Sequence, residues 1–172
     1  EPRAWAISER TGPVPEDADP SLTAPDLPRE PIAIEHLPQY VSEAGNPDNR
    51  LGIERVDLTL PSPLLGVGIT LIDTPGVGGL GGAQSATLAF LPLADALLFV
   101  SDASAELSAP EIEFLSRAVE ACPSVVLVLT KTDLHAHWRR IAELDAGHLE
   151  RAGLDVPILP VSSHLRQRAV LL

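Results

Sequence analysis

The sequence predicts an α/β fold of three layers: a mostly parallel sheet with helices on both faces and one antiparallel edge strand. Three observations predict it. From residue 96 onward, apolar runs of strand length alternate with amphipathic helical runs. Those strands are apolar throughout, the pattern of a parallel sheet buried on both faces. Residues able to bind ligands stand at the ends of several strands, at the edge where open α/β sheets carry their sites.

The elements follow in order. Residues 1–31 are rich in Pro, Asp and Glu and read as an extended acidic loop, in which only residues 4–7 could form a short strand. Residues 34–44 suggest a short helix with Leu37, Tyr40 and Val41 on one side and Pro38 near its start, where proline is tolerated. Gly45-Asn46-Pro47-Asp48-Asn49 is a turn cluster. Val56, Leu58 and Leu60 alternate with Arg55, Asp57 and Thr59, as in a half-exposed strand. Residues 67–72 form a second apolar run, and the short Pro-containing connector predicts that the two pair as antiparallel neighbours. Residues 96–100 form an apolar strand ending at Ser101-Asp102, where Asp102 reads as a turn or cap residue. Ser108-Ala109-Pro110-Glu111 opens a helix, with Ser108 as N-cap and Glu111 three residues on. Ile112, Leu115, Ala118, Val119 and Cys122 then recur at helical spacing. Residues 124–129 are a β-branched apolar strand. Residues 134–152 predict an amphipathic helix stopped by Gly153. Residues 157–161 form a last short strand before Ser162-Ser163.

A chain of 172 residues is one domain or part of one. The apolar fraction of 45% supports a core, which the scarcity of aromatics leaves to Leu, Val, Ile and Ala. The net charge of −12, with no basic cluster beyond Arg139-Arg140, excludes a nucleic-acid footprint and argues against an anionic lipid surface. Arg139-Arg140 reads as a pair snorkelling on a helix surface. The lone Cys122 cannot form an internal disulfide and reads as a buried small hydrophobe, in keeping with a reducing cytoplasm. His135, His137, His148 and His164 read as solvated helix surface rather than metal ligands. No apolar run is long enough to span a membrane. The chain has no methionine, begins with Glu1 and ends on Val170-Leu171-Leu172, which reads as an excerpt from a longer polypeptide, with a processed mature chain as the alternative.

The motifs give the functional reading. Lys131 is the only lysine, every other cation of this kind being arginine. Lysine is a point charge on a slim stem that can lie across a flat ring, which a forked guanidinium does less well. It stands in Thr130-Lys131-Thr132-Asp133, directly after an apolar strand. There an Asp carboxylate can accept from the ring and exocyclic N–H groups of guanine while the Lys stem covers the ring. Upstream, Asp73-Thr74-Pro75-Gly76 also ends an apolar run. Its Asp can hold Mg²⁺ through a water, and its Gly lets the backbone approach a terminal phosphate. Five glycines in the seven residues 76–82 suit a loop that reorders when that phosphate leaves. Ser162-Ser163 could supply backbone N–H groups to the guanine carbonyl, although a strand-ending Ser is more often a cap for the next helix. A competing pattern exists: Gly76, Gly78 and Gly81 satisfy G-x-G-x-x-G, and Asp102 follows 21 residues past Gly81, as in a dinucleotide (NAD) site. That reading leaves Lys131 and Asp133 unexplained.

With these residues placed, the chain resembles the bacterial dynamin-like GTPases, especially the actinobacterial isoniazid-inducible type. The resemblance covers about residues 32–168. It is carried by Tyr40-Val41-Ser42-Glu43-Ala44-Gly45-Asn46-Pro47, by residues 73–79 and by residues 129–133. It implies a P-loop GTPase-type sandwich that is N-terminally incomplete, with residues 1–31 as the first-switch region and residues 32–172 as a partial G domain. It implies GTP and Mg²⁺ as cofactors, with Asp73, Thr74 and Gly76 at the metal and γ-phosphate, and Thr130, Lys131, Asp133, Ser162 and Ser163 around guanine. It also implies self-association through the G domain and membrane remodelling by segments outside these residues. The parent protein would then be cytoplasmic and peripheral to the inner face of the cell membrane. The chain departs from the pattern in one respect. A phosphate-binding loop needs G-x-x-x-x-G-K-[ST], and a chain whose only lysine is Lys131 has none. The Mg²⁺-binding threonine of the first switch is matched by type alone, at Thr11 or Thr23. The chain by itself is therefore expected neither to bind GTP tightly nor to hydrolyse it. A non-catalytic pseudo-GTPase module is the alternative. A ribosome-assembly GTPase is disfavoured by the acidic segment before residue 32 and the lack of a basic face.

Overall fold

A computed structural model describes residues 2–8, 29–74, 87, 88 and 90–170. The chain divides into two compact units, Glu1–Ile72 and Asp73–Leu172.

The first unit is a three-stranded antiparallel sheet of order β2-β1-β3, with β1 Arg3–Ser8, β2 Arg29–Ile32 and β3 Ile53–Thr59. Ala4 and Ala6 are buried with Ile32 and pack against Leu37, Tyr40, Ile53 and Val56. Between β2 and β3 lie a 3-10 turn at Ile34–His36, the short helix α1 (Pro38–Val41) and a second 3-10 turn at Pro47–Asn49. Buried Asn46 holds this connector together: its amide donates to Tyr40 O at 3.1 Å and Asn49 Oδ1 at 3.0 Å, and its Oδ1 accepts from Leu51 N at 3.0 Å.

One sequence expectation is overturned here. β3 does not pair with residues 67–72; its antiparallel partner is β1, in the register Ala4↔Leu58 and Ala6↔Val56. The connector forms a 3-10 turn at Leu65–Val67, ending on Gly68 at φ +92. That left-handed turn suits glycine and breaks the extended geometry a hairpin return strand would need. Ile69, Leu71 and Ile72 consequently lie exposed outside any strand.

The second unit carries a parallel sheet of order β4-β5-β6, with β4 Leu97–Asp102, β5 Val125–Thr130 and β6 Ile158–Pro160. The helices are α2 (Ala109–Ala121), α3 (Trp138–Arg151) and α4 (Ser163–Val170). α2 starts as its sequence predicts: the Glu111 carboxylate accepts from Ser108 N at 2.7 Å and from the Ser108 hydroxyl at 2.6 Å. α3 starts later than the periodicity suggests, because residues 131–137 form turns, with Leu134 N donating to Lys131 O at 3.0 Å and Trp138 N to His135 O at 3.1 Å. Gly153, at φ +71, ends it. Phe99, Val125 and Leu127 on one sheet face are buried against Phe114, Leu115 and Ala118 of α2 and Leu149 of α3. Phe99 and Phe114 meet with ring centroids 5.7 Å apart. On the opposite face, Leu98 and Val100 are 58% and 62% exposed. Among the described residues, no helix is long and apolar enough to cross a membrane.

Candidate functional site

Parallel pairing brings the carboxyl ends of β4, β5 and β6 together. Asp102 lies opposite Thr130, and Leu129 opposite Pro160. The loops that leave these strands therefore share one edge of the sheet, and they carry Asp102, residues 130–133 and Ser162-Ser163.

The loop at 130–133 is fixed from both sides. Thr130 Oγ1 donates to Ser101 O at 2.8 Å, and Ala103 N donates to Thr130 O at 3.0 Å. On the β6 side, Thr132 Oγ1 donates to Val161 O at 3.0 Å, and Val161 N donates to Leu129 O at 2.8 Å. The two threonines thus tie the loop to its neighbours, leaving Lys131 and Asp133 as its charged pair. Lys131 sits at φ +57 and its ammonium donates to Asp102 Oδ2 at 2.8 Å. A hydrogen bond from the Ser162 side chain, with His164 beside it, holds the Asp133 carboxyl below the usual carboxylate range. The group is therefore a charged acceptor at neutral pH. His164 Nδ1 is 3.1 Å from Asp133 Oδ2. Ser162 also accepts from Leu165 N at 3.0 Å, the pattern of a residue that caps the following helix. Ser163 is the first residue of α4 and is exposed.

The other candidates fall elsewhere. Asp73 and Thr74 are exposed, in neither helix nor strand, and no hydrogen bond joins them to the 130–133 loop among the described residues. Gly76, with Gly78 and Gly81 of the competing dinucleotide pattern, lies outside the described residues, as do Thr11 and Thr23. Asp102, which that pattern would give to a ribose, has both oxygens engaged: Lys131 and Ser104 hold its carboxyl far below the usual range.

Two residues escaped the sequence reading. Asp102 is more than a turn residue, and His164 is more than solvated surface. Both lie some thirty positions from their partners, and only strand order joins them. A signal for Asp102 was present: two predicted strands, adjacent in a parallel sheet, end at Asp102 and just before Lys131.

No group of three or more His, Cys, Asp or Glu able to hold a metal occurs among the described residues. One carboxylate suits Mg²⁺ all the same, since that ion keeps several waters and takes one or two carboxylates plus substrate phosphates rather than an all-protein cage.

A parallel sheet of this order, with polar loops at its carboxyl edge, is an α/β arrangement consistent with a domain of the P-loop GTPase-like kind. Residues 18–132 match the dynamin family, and the chain belongs to that family. The isoniazid-induced protein IniA of Mycobacterium tuberculosis is 46% identical to it over 155 residues, which cover 90% of this chain and 23% of IniA. A probable transmembrane GTPase, FZO-like and chloroplastic, of Arabidopsis thaliana is 35% identical over 85 residues, 49% of this chain and 9% of that protein. An uncharacterized protein of Caldicellulosiruptor is 27% identical over 107 residues, 62% of this chain and 27% of its own length. The chain thus spans about a quarter or less of these relatives.

Proposed function

We propose that these residues form the guanine-recognition part of a dynamin-family GTPase. The observation that carries this reading is the 130–133 loop. Strand pairing fixes it on both sides, it presents an ionised Asp133 carboxylate, and it lies at the sheet edge where α/β folds bind ligands. Asp133 would accept the ring and exocyclic N–H groups of guanine. Lys131 would cover one face of the base, Thr130 and Thr132 would hold the loop, and Ser162-Ser163 would lie by the carbonyl oxygen. Asp73 would hold Mg²⁺ through a water, with Thr74 and Gly76 beside the terminal phosphate; the ion, when bound, would neutralise charge building up on the phosphates.

The phosphate cradle is not among these 172 residues, because their only lysine is Lys131. A strand–loop–helix from elsewhere in the parent protein would supply it. Two features support this. β4 pairs on one side only among the described residues, and Leu98 and Val100 leave an apolar sheet face open. GTP hydrolysis, self-association and membrane remodelling at the inner face of the cell membrane would belong to the parent protein.

The test is a nucleotide titration of the full chain by NMR, which reads millimolar binding. The reading predicts that GDP shifts resonances of the 130–133 loop while ADP and NAD leave them in place. Micromolar GTP affinity in the same chain would contradict the assignment of the phosphate cradle elsewhere. Equal responses to GDP and ADP would contradict guanine recognition.

A further inference from the structure

Asp102 is the last residue of β4 and lies opposite Thr130, so strand register sets its carboxylate beside Lys131. Oδ1 accepts the Ser104 N–H at 2.9 Å and also the Ser104 hydroxyl. This local turn fixes the plane of the carboxylate. Oδ2 then receives the Lys131 ammonium at 2.8 Å.

Lys131 itself has φ +57, a backbone conformation that long L side chains avoid. Such strain persists where the surroundings over-determine it, and it collects at functional sites. The surroundings here are the Thr130 bonds to β4 and the Leu134 N–H on Lys131 O. Stability is a weak reason for the arrangement. The Lys131 and Asp102 side chains are 55% and 33% exposed, and exposed ion pairs contribute little. What the pair does fix is direction. A four-carbon stem anchored at both ends becomes an apolar bar lying two residues before Asp133.

We propose that Asp102 is a positioning residue for base recognition. It anchors the Lys131 ammonium so that the stem is already set against one face of the base when Asp133 engages the base edge. This rests on the guanine-binding reading above. Without the anchor, a flexible lysine would have to be ordered at the moment of binding, at the expense of affinity.

Lys131 is the only lysine, so the full chain grown with lysine labelled at Cε gives one such side-chain signal. GDP and ADP are titrated into wild type, Asp102→Ala, Asp102→Asn, Asp102→Glu and Ser104→Ala, with thermal melts run in parallel. The expected result has four parts. GDP moves the wild-type signal and ADP does not. In free Asp102→Ala the signal narrows toward that of a mobile lysine. The apparent Kd for GDP rises about tenfold. Asp102→Glu restores most of the affinity, and Ser104→Ala gives an intermediate loss. A merely structural role would lower the melting temperature without releasing the lysine, and glutamate would not rescue it. If Asp102→Ala fails to fold, Asp102→Asn, which keeps an oxygen for Ser104, carries the same comparison. Wild-type GDP affinity in whichever variant folds would overturn the proposal and leave guanine recognition intact. A wild-type signal indifferent to GDP would overturn guanine recognition, and the proposal with it.

Discussion

Lys131 combines a strained backbone with a charged stem, and the two can be separated experimentally. Lys131→Gly relieves the left-handed strain but gives the unfolded chain more freedom; these effects oppose each other and are each about 1 kcal/mol. Urea melts should therefore place the variant within about 1 kcal/mol of wild type, while guanine binding, which needs the stem, is lost. A variant that kept its GDP response would show that the stem does not touch the base. The lysine was conspicuous in the sequence because it stands alone. Its partner was not, since Asp102 and Lys131 are 29 positions apart and meet only through the β4–β5 register. The same holds for His164 and Asp133, which are 31 positions apart.

Among the elements, α3 is attached to the loop after β4 by one buried group. Asp145 is 1% exposed; its Oδ1 accepts from Leu107 N at 2.8 Å, and its Oδ2 has no partner. Burial pushes its carboxyl above the usual range, opposed by the Leu107 N–H and the nearby His148 and reinforced by Glu106 and Glu111. His148 is itself 2.7 Å from both Glu106 and Arg151. A carboxyl that holds its proton more tightly when folded stabilises the fold while protonated. That contribution is complete below the ordinary carboxylate pKa and is lost as pH rises through the raised value. Asp145→Asn should therefore gain stability relative to wild type as pH rises above the ordinary carboxylate range, as followed by urea melts. Asp145→Ala strands the Leu107 N–H and should cost about 1–3 kcal/mol. If the Asn variant tracks wild type at every pH, the carboxyl is not perturbed. The elements themselves were legible where the pattern is local. β5 is a run of apolar residues, α2 announces itself through Ser108 and Glu111, and Gly153 marks the end of α3. β2 was missed because its Arg29–Ile32 stretch lies at the end of a Pro-rich segment whose composition reads as loop.

In the whole molecule, the class of fold was visible in the alternation of apolar and amphipathic runs, whereas strand partners were not. Residues 53–59 pair with β1, far back in the chain, because pairing is decided by long-range packing that a short connector does not reveal. The two faces of the parallel sheet differ, and stability should report it. Leu127 is fully buried, and Leu127→Ala should cost about 2–5 kcal/mol. Leu98→Ser and Val100→Ser lie on the open face and should cost less than about 1 kcal/mol in this chain. Comparable losses on both faces, measured by denaturant unfolding, would contradict the open face and with it the room for a phosphate-binding unit.

The most direct test of guanine recognition is a base swap at Asp133. Guanine offers two N–H donors to a carboxylate; xanthine replaces the amino group with a carbonyl and needs a donor there, which asparagine has. GDP and XDP are titrated into wild type and Asp133→Asn while the single lysine signal is observed. The substitution is expected to weaken GDP by about tenfold or more and to make XDP the preferred ligand. An Asp133→Asn chain that still prefers GDP to XDP would contradict guanine recognition.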